Sequence, residues 1–95
     1  MEQITKQLFP LGQIGTTPAV LATLEKAAQG PAEFLWRHAS GDWGDLCPED
    51  RQENQFSLER GFQIFSSYRT RAVDELWIIT DNHFSITKIL LPKEY

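Results

Sequence analysis

The spacing of apolar positions divides the chain into a helical half and a strand half. Leu21, Leu24 and Ala28 recur at i, i+3 and i+7, one stripe of a helix. Thr17 is a good N-cap for it, and Pro18 fits the first helical position, where a missing N–H costs nothing. Gly30 and Pro31 stop that helix. Pro31 then opens a second one, PAEFLWRHAS, which Gly41 closes. Phe34, Leu35 and His38 share a face of it. A third helix runs from Pro48 to Arg60, with Glu49 and Asp50 at its positive end, Arg60 at its negative end and Gly61 as the C′ residue. Its only apolar residues are Phe56 and Leu58, so it is expected to lie over the sheet and expose much of its surface.

From Phe62 the period shortens to two. Phe62, Ile64, Ser66 and Tyr68 alternate with Gln63, Phe65, Ser67 and Arg69. Leu76 to Thr80 is rich in β-formers, and a third run spans Phe84 to Leu91. Turn residues at 70–75 and 81–83 separate the runs, and connections this short demand antiparallel pairing. Apolar residues on both parities of the last two runs predict strands that are central or covered on both faces. Pro92 ends the last of them. Residues 4–15, broken by Pro10, Gly12 and Gly15, fit a short N-terminal edge strand. The expected class is α+β: two or three N-terminal helices packed on a C-terminal three-stranded antiparallel meander. At 95 residues the whole chain, 1–95, reads as a single domain.

Composition narrows the class further. Three tryptophans and six phenylalanines argue against disorder, and a net charge of −4 argues against a large basic footprint for nucleic acid. Cys47 is the only cysteine, so no intrachain disulfide forms, which fits a reducing compartment. The first residues, MEQITKQLFPLGQIG, lack the order of a signal peptide, and no run reaches the roughly 18 apolar residues of a membrane span. A cytoplasmic location away from membranes is the expectation.

Candidate chemistry concentrates between His38 and Cys47. His38, Asp42 and either Ser40 or Cys47 can be drawn as a base, an orienting group and a nucleophile. No nucleophile-elbow spacing supports that drawing, and turn hydrogen bonds from Asp42 and Asp45 with Trp43 as a core anchor account for the string more simply. No catalytic residue is therefore assigned. His38, Asp42, Asp45, Cys47 and His83 follow no metal-ligand spacing, so neither a metal nor another cofactor is expected. Asn54 is a poor helix former in mid-helix and is expected to hydrogen-bond the 41–47 loop. In Ser66–Arg71, the side chains of Tyr68, Arg69 and Arg71 are candidates to contact phosphate or a carboxylate on a partner, with His38, Asp42 and Asp45 as further candidates. Trp36 and Trp77 read as core residues, Trp77 as an anchor of the sheet. Lys93-Glu94-Tyr95 fits either the end of the sheet or a recognition tail.

RHASGDWGDL (37–46), Glu53-Asn54, SSYRT (66–70), LWIIT (76–80) and ITKILLPKEY (86–95) together resemble a family of small proteins of bacterial plasmids, integron gene cassettes and other mobile elements. The resemblance runs from about Leu8 to Tyr95 and transfers no catalytic residue. Some relatives carry a label as a restriction-system modification subunit. This chain has no glycine-rich cofactor loop and is too short for a cofactor-binding α/β domain, so the label does not transfer. Relatives often place an acidic–basic pair before the last strand, where this chain has His83 and Phe84.

These readings imply a non-enzymatic protein-binding module or inhibitor acting as a mobile-element accessory, with an unidentified protein partner. A homodimer is compatible with so small a domain. The alternative is a small RNA-targeting nuclease or toxin-like protein, which needs His38, Arg69, Arg71 and His83 close together. A metal-dependent hydrolase is a third class, and elemental analysis tests it.

Overall fold

The structure is a computed structural model and describes residues 6–95. The part of the expected edge strand that falls on residues 4 and 5 lies outside the described residues. In chain order the elements are β1 (Gln13–Thr16), α1 (Pro18–Lys26), α2 (Pro31–Ala39), α3 (Pro48–Arg60), β2 (Ile64–Arg69), β3 (Glu75–Thr80) and β4 (Ile86–Leu90), with single 3₁₀ turns at Asn82–Phe84 and Pro92–Glu94. No helix among the described residues is long and apolar enough to cross a membrane.

The class is α+β, but the sheet is not a three-stranded antiparallel meander. It has four strands in the order β1-β4-β3-β2. The β2–β3 and β3–β4 pairs are antiparallel, and β1 runs parallel to β4. Parallel pairing needs a long connection, and β1 has one, because all three helices intervene before the chain returns to the sheet. Gly12 makes the close approach of the two strands feasible. At φ +65° it adopts a left-handed conformation, and a Cβ there would lie 2.1 Å from the Ser85 carbonyl oxygen. The β1 residues QIGT are all exposed, so no apolar alternation marks them.

Helix ends follow local chemistry. The Thr17 hydroxyl accepts from the Val20 N–H, capping α1. The helix ends earlier than expected, because Ala27 closes it and Ala28 turns left-handed at φ 56°. Gly30 serves instead as the N-cap of α2. Gly61, left-handed at φ 72°, ends α3.

One parity of the sheet is sealed. Tyr68, Leu76, Ile78 and Ile89 pack with Val20 and Leu24 of α1 and Phe34 of α2. A second cluster of Phe9, Trp43, Leu46 and Ile64 fixes the N-terminal segment and the 41–47 loop to the same body. Two expected core positions are exposed instead. Leu21 and Trp36 are 48% and 45% exposed, because Val20 with Leu24, and Phe34 with His38, form the inward stripes of their helices.

β3 and β4 are central, as the apolar parity implies, but cover is one-sided. On the face away from α1 and α2, Phe65, Trp77 and Leu90 are only half-buried. α3 does not lie over that face. Its buried residues are Asn54 and Ser57, both polar, and it docks along the border of β2. Asn54 donates to the Phe65 carbonyl at 2.7 Å and accepts from the Phe65 N–H at 3.1 Å, standing in for a neighbouring strand. Its partner is β2 and not the expected 41–47 loop.

Candidate functional site

His38 is fully buried at the junction of α2 and the sheet. Its Nδ1 lies 2.5 Å from the Ser66 hydroxyl, and its Nε2 lies 2.8 Å from the Thr80 hydroxyl. Thr80 in turn meets Thr87 at 2.7 Å, and Thr87 donates to the Leu11 carbonyl at 2.7 Å. The chain has one direction. A carbonyl only accepts, so the Thr87 proton goes to Leu11, and Thr80 must donate to Thr87. The Thr80 oxygen then accepts from Nε2–H, which leaves Nδ1 to accept from Ser66. Every proton is placed and the ring is neutral. Burial pushes the His38 pKa down to about 3. This arrangement ties α2, β2, β3, β4 and the segment leading into β1 together.

The drawn triad does not form. The Ser40 hydroxyl turns back to the carbonyls of Trp36 and Arg37, and Cys47 is exposed at the start of α3. Asp42 pairs with Arg37 at 2.7 Å and accepts from the Gly44 N–H at 3.3 Å. The Arg37 guanidinium holds the Asp42 carboxyl below the usual range. Asp45 faces Arg69 at 3.9 Å, with both side chains exposed. Arg51 donates to the carbonyls of Leu46 and Gly44, and Trp43 is 5% exposed. The 43–45 segment also bonds the border of β2: the Ser67 N–H donates to Trp43, and the Asp45 N–H donates to Ser67. The GDWGDL string is thus wrapped by turn, clamp and edge hydrogen bonds.

Tyr68 is not placed to contact a partner. It is 1% exposed, its hydroxyl donates to the Asp42 carbonyl at 2.7 Å, and Arg37 stacks over its ring. Burial raises its pKa. The parity shared with Ile64, Ser66 and Thr80 carries it inward, whereas Arg69, on the opposite parity, stays exposed. Arg71 is held by Gln29 and the Ala28 carbonyl, at the turn after α1. Tyr68, Arg69 and Arg71 therefore do not share one surface. His83 is exposed and left-handed at φ 66°. No group of three or more His, Cys, Asp or Glu side chains is placed to hold a metal ion among the described residues.

An aromatic-lined concave feature lies elsewhere. A groove of about 580 Å³ runs between α3 and the open sheet face. Phe65, Trp77 and Ile79 from β2 and β3 line it, along with Phe56, Phe62 and Tyr95. Trp77 packs edge-on against Phe65 at 5.2 Å and against Tyr95 at 5.6 Å. Its indole N–H donates to Glu75 at 3.0 Å, and Glu75 also accepts from Ser67. Phe56, Phe62 and Tyr95 are 46%, 45% and 76% exposed, so aromatic surface faces water along the groove. Asp50 and Glu53 supply carboxylates to the lining, and the Arg60 guanidinium stacks over the Phe56 ring at 3.9 Å. Trp77 is therefore a groove residue more than a core anchor. The signal for the groove lay in the second parity of β2 and β3, whose apolar residues found no covering helix.

Compared with known proteins, the chain matches no family model, no curated protein sequence and no solved structure.

Proposed function

We propose that this chain is a non-enzymatic protein-binding module that seats a segment of a partner protein in the groove between α3 and the open face of the sheet. The observation that carries this reading is Trp77: half-buried, held by Glu75 and flanked by aromatic rings in a concave, water-facing site. Aromatic residues of this kind dominate binding energy where a partner excludes water from them. The carboxylates of Asp50 and Glu53 set the complementary chemistry, a segment that pairs apolar or aromatic side chains with Lys or Arg. An accessory or inhibitory role on a mobile element remains the expectation that the family resemblance brings to this reading. The nuclease alternative gains nothing from the site, since both ring nitrogens of His38 are engaged and no solvent reaches them.

Panning a random peptide library on the purified protein tests the proposal, followed by NMR titration of the enriched peptides. The expected peptides combine aromatic and basic residues and shift the resonances of Trp77 and Phe62. Trp77→Ala is expected to weaken them about tenfold or more, and Asp50→Lys with Glu53→Lys to remove the preference for basic residues. Peptides that bind equally well to folded Trp77→Ala, or a library that yields none, would overturn the reading.

A further inference from the structure

The two borders of the sheet are finished differently. Along β2, Phe65 bonds the Asn54 side chain and Ser67 bonds the 43–45 loop. Along β1 nothing equivalent occurs among the described residues. The Gln13 N–H donates to the Ser85 carbonyl at 2.9 Å, in a register that pairs Gln13 with Ile86 and Gly15 with Lys88. Alternate residues of a parallel ladder turn both backbone groups toward the neighbour. Gln13 and Gly15 therefore serve β4, while Ile14 and Thr16 aim their N–H and C=O groups away from the sheet. Among the described residues none takes up those four groups.

Gly15 is an independent sign. Its φ is not left-handed, and a Cβ built on it meets nothing within 4 Å. Glycine weakens a strand, and inside one it often marks the close approach of another backbone. Among the described residues no such backbone lies at Gly15.

We propose that β1 pairs antiparallel with β1 of a second copy about a two-fold axis at Gly15, joining two four-stranded sheets into one. In that register Ile14 lies opposite Thr16 of the second copy, and each such pair exchanges two hydrogen bonds. The symmetry-related pair does the same, so all the outward groups of Ile14 and Thr16 are satisfied at once. Gly15 meets its own copy at the non-hydrogen-bonded position, where Cα atoms approach to about 4.5 Å. A second copy is the favoured occupant because this patch is self-complementary. Its QIGT sequence has no charge to repel an identical strand, and it lacks the Lys or Pro that commonly guards an edge. Ile14, 51% exposed in the single chain, gains cover in the pairing.

Sedimentation equilibrium of the full chain, from about 1 µM to about 1 mM, tests this together with Ile14→Pro and Gly15→Glu. Both changes spare the β1–β4 ladder, because the Ile14 N–H points outward and the space at position 15 is open. A dimer is expected for the unchanged chain, with a dissociation constant raised about tenfold or more in each variant while circular dichroism stays the same. Gly15→Cys in a Cys47→Ser background is expected to form a covalent dimer on mild oxidation, and this arm decides the matter if the other variants misfold. A monomer across the whole range with no cross-link would overturn the proposal. So would a dimer indifferent to both substitutions.

Discussion

The buried imidazole of His38 makes a pH-dependent contribution to stability whose sign follows from its surroundings. In the unfolded chain the ring titrates near 6.5, whereas in the folded chain burial holds it neutral down to about 3. Between those values the unfolded state binds a proton that the folded state does not, so stability rises with pH. The contribution is fully present above pH 6.5 and is lost as pH falls toward 3, at about 1.4 kcal/mol per pH unit. Urea denaturation is expected to show this slope between pH 6.5 and pH 4.5, and His38→Gln is expected to remove that share of it. His38→Ala leaves Ser66 and Thr80 facing a cavity and is expected to cost about 3 kcal/mol or more at pH 7.5. Part of this was legible in advance. The helical spacing put His38 on the face of Phe34. Its partners were not legible, since Ser66, Thr80 and Thr87 are polar residues on a buried parity, and only strand register shows which of them converge. Tyr68 shows the same limit: its neighbour Arg69 is exposed, but alternation sends the two to opposite faces.

Among the elements, those with strong local chemistry were the readable ones. α2 and α3 begin at Pro31 and Pro48, and α3 ends at Gly61, where the sequence puts them. β1 was vague because it has no buried face, and its parallel partner lies at the far end of the chain. Two glycines separate steric need from conformational need. At Gly44, φ is +74° and a Cβ would fall 1.9 Å from the Ser67 carbonyl oxygen. At Gly61, φ is +72° with open space around it. Gly61→Ala is expected to cost about 1–2 kcal/mol, the strain of a left-handed residue alone. Gly44→Ala is expected to cost clearly more, because the 43–45 segment must leave the border of β2. Thermal unfolding of the two variants side by side checks the order. Asn54→Asp keeps the size and the acceptor but loses the donor to the Phe65 carbonyl. A loss of about 2 kcal/mol is expected in denaturant melts, with Asn54→Ala at least as damaging.

For the molecule as a whole, the decisive asymmetry is between the two faces of the sheet. Helices α1 and α2 seal one, and the other keeps a groove with an aromatic lining and an acidic contribution. Apolar residues on both parities of β3 and β4 predict strands that are central or covered on both faces; they are central, and one face only is covered. Whether a helix fills the second face depends on α3, and its polar surface gives it no reason to settle there. Phe62→Ser tests the groove without touching the sealed core, since Phe62 is 45% exposed. It is expected to change the melting temperature little while weakening aromatic peptides in fluorescence titrations. Asn54 has a further consequence at this scale. With the β2 border stoppered by this amide and by the 43–45 loop, this ribbon of strands can be extended from the β1 side only, so any growth by strand addition closes after a single union. Polymerisation needs two open ends, and opening the second would take the loss of both the amide and the loop's bonds to Ser67. Asn54→Ala alone is accordingly expected to leave light scattering flat with time and concentration, because the 43–45 loop still occupies the border at Ser67.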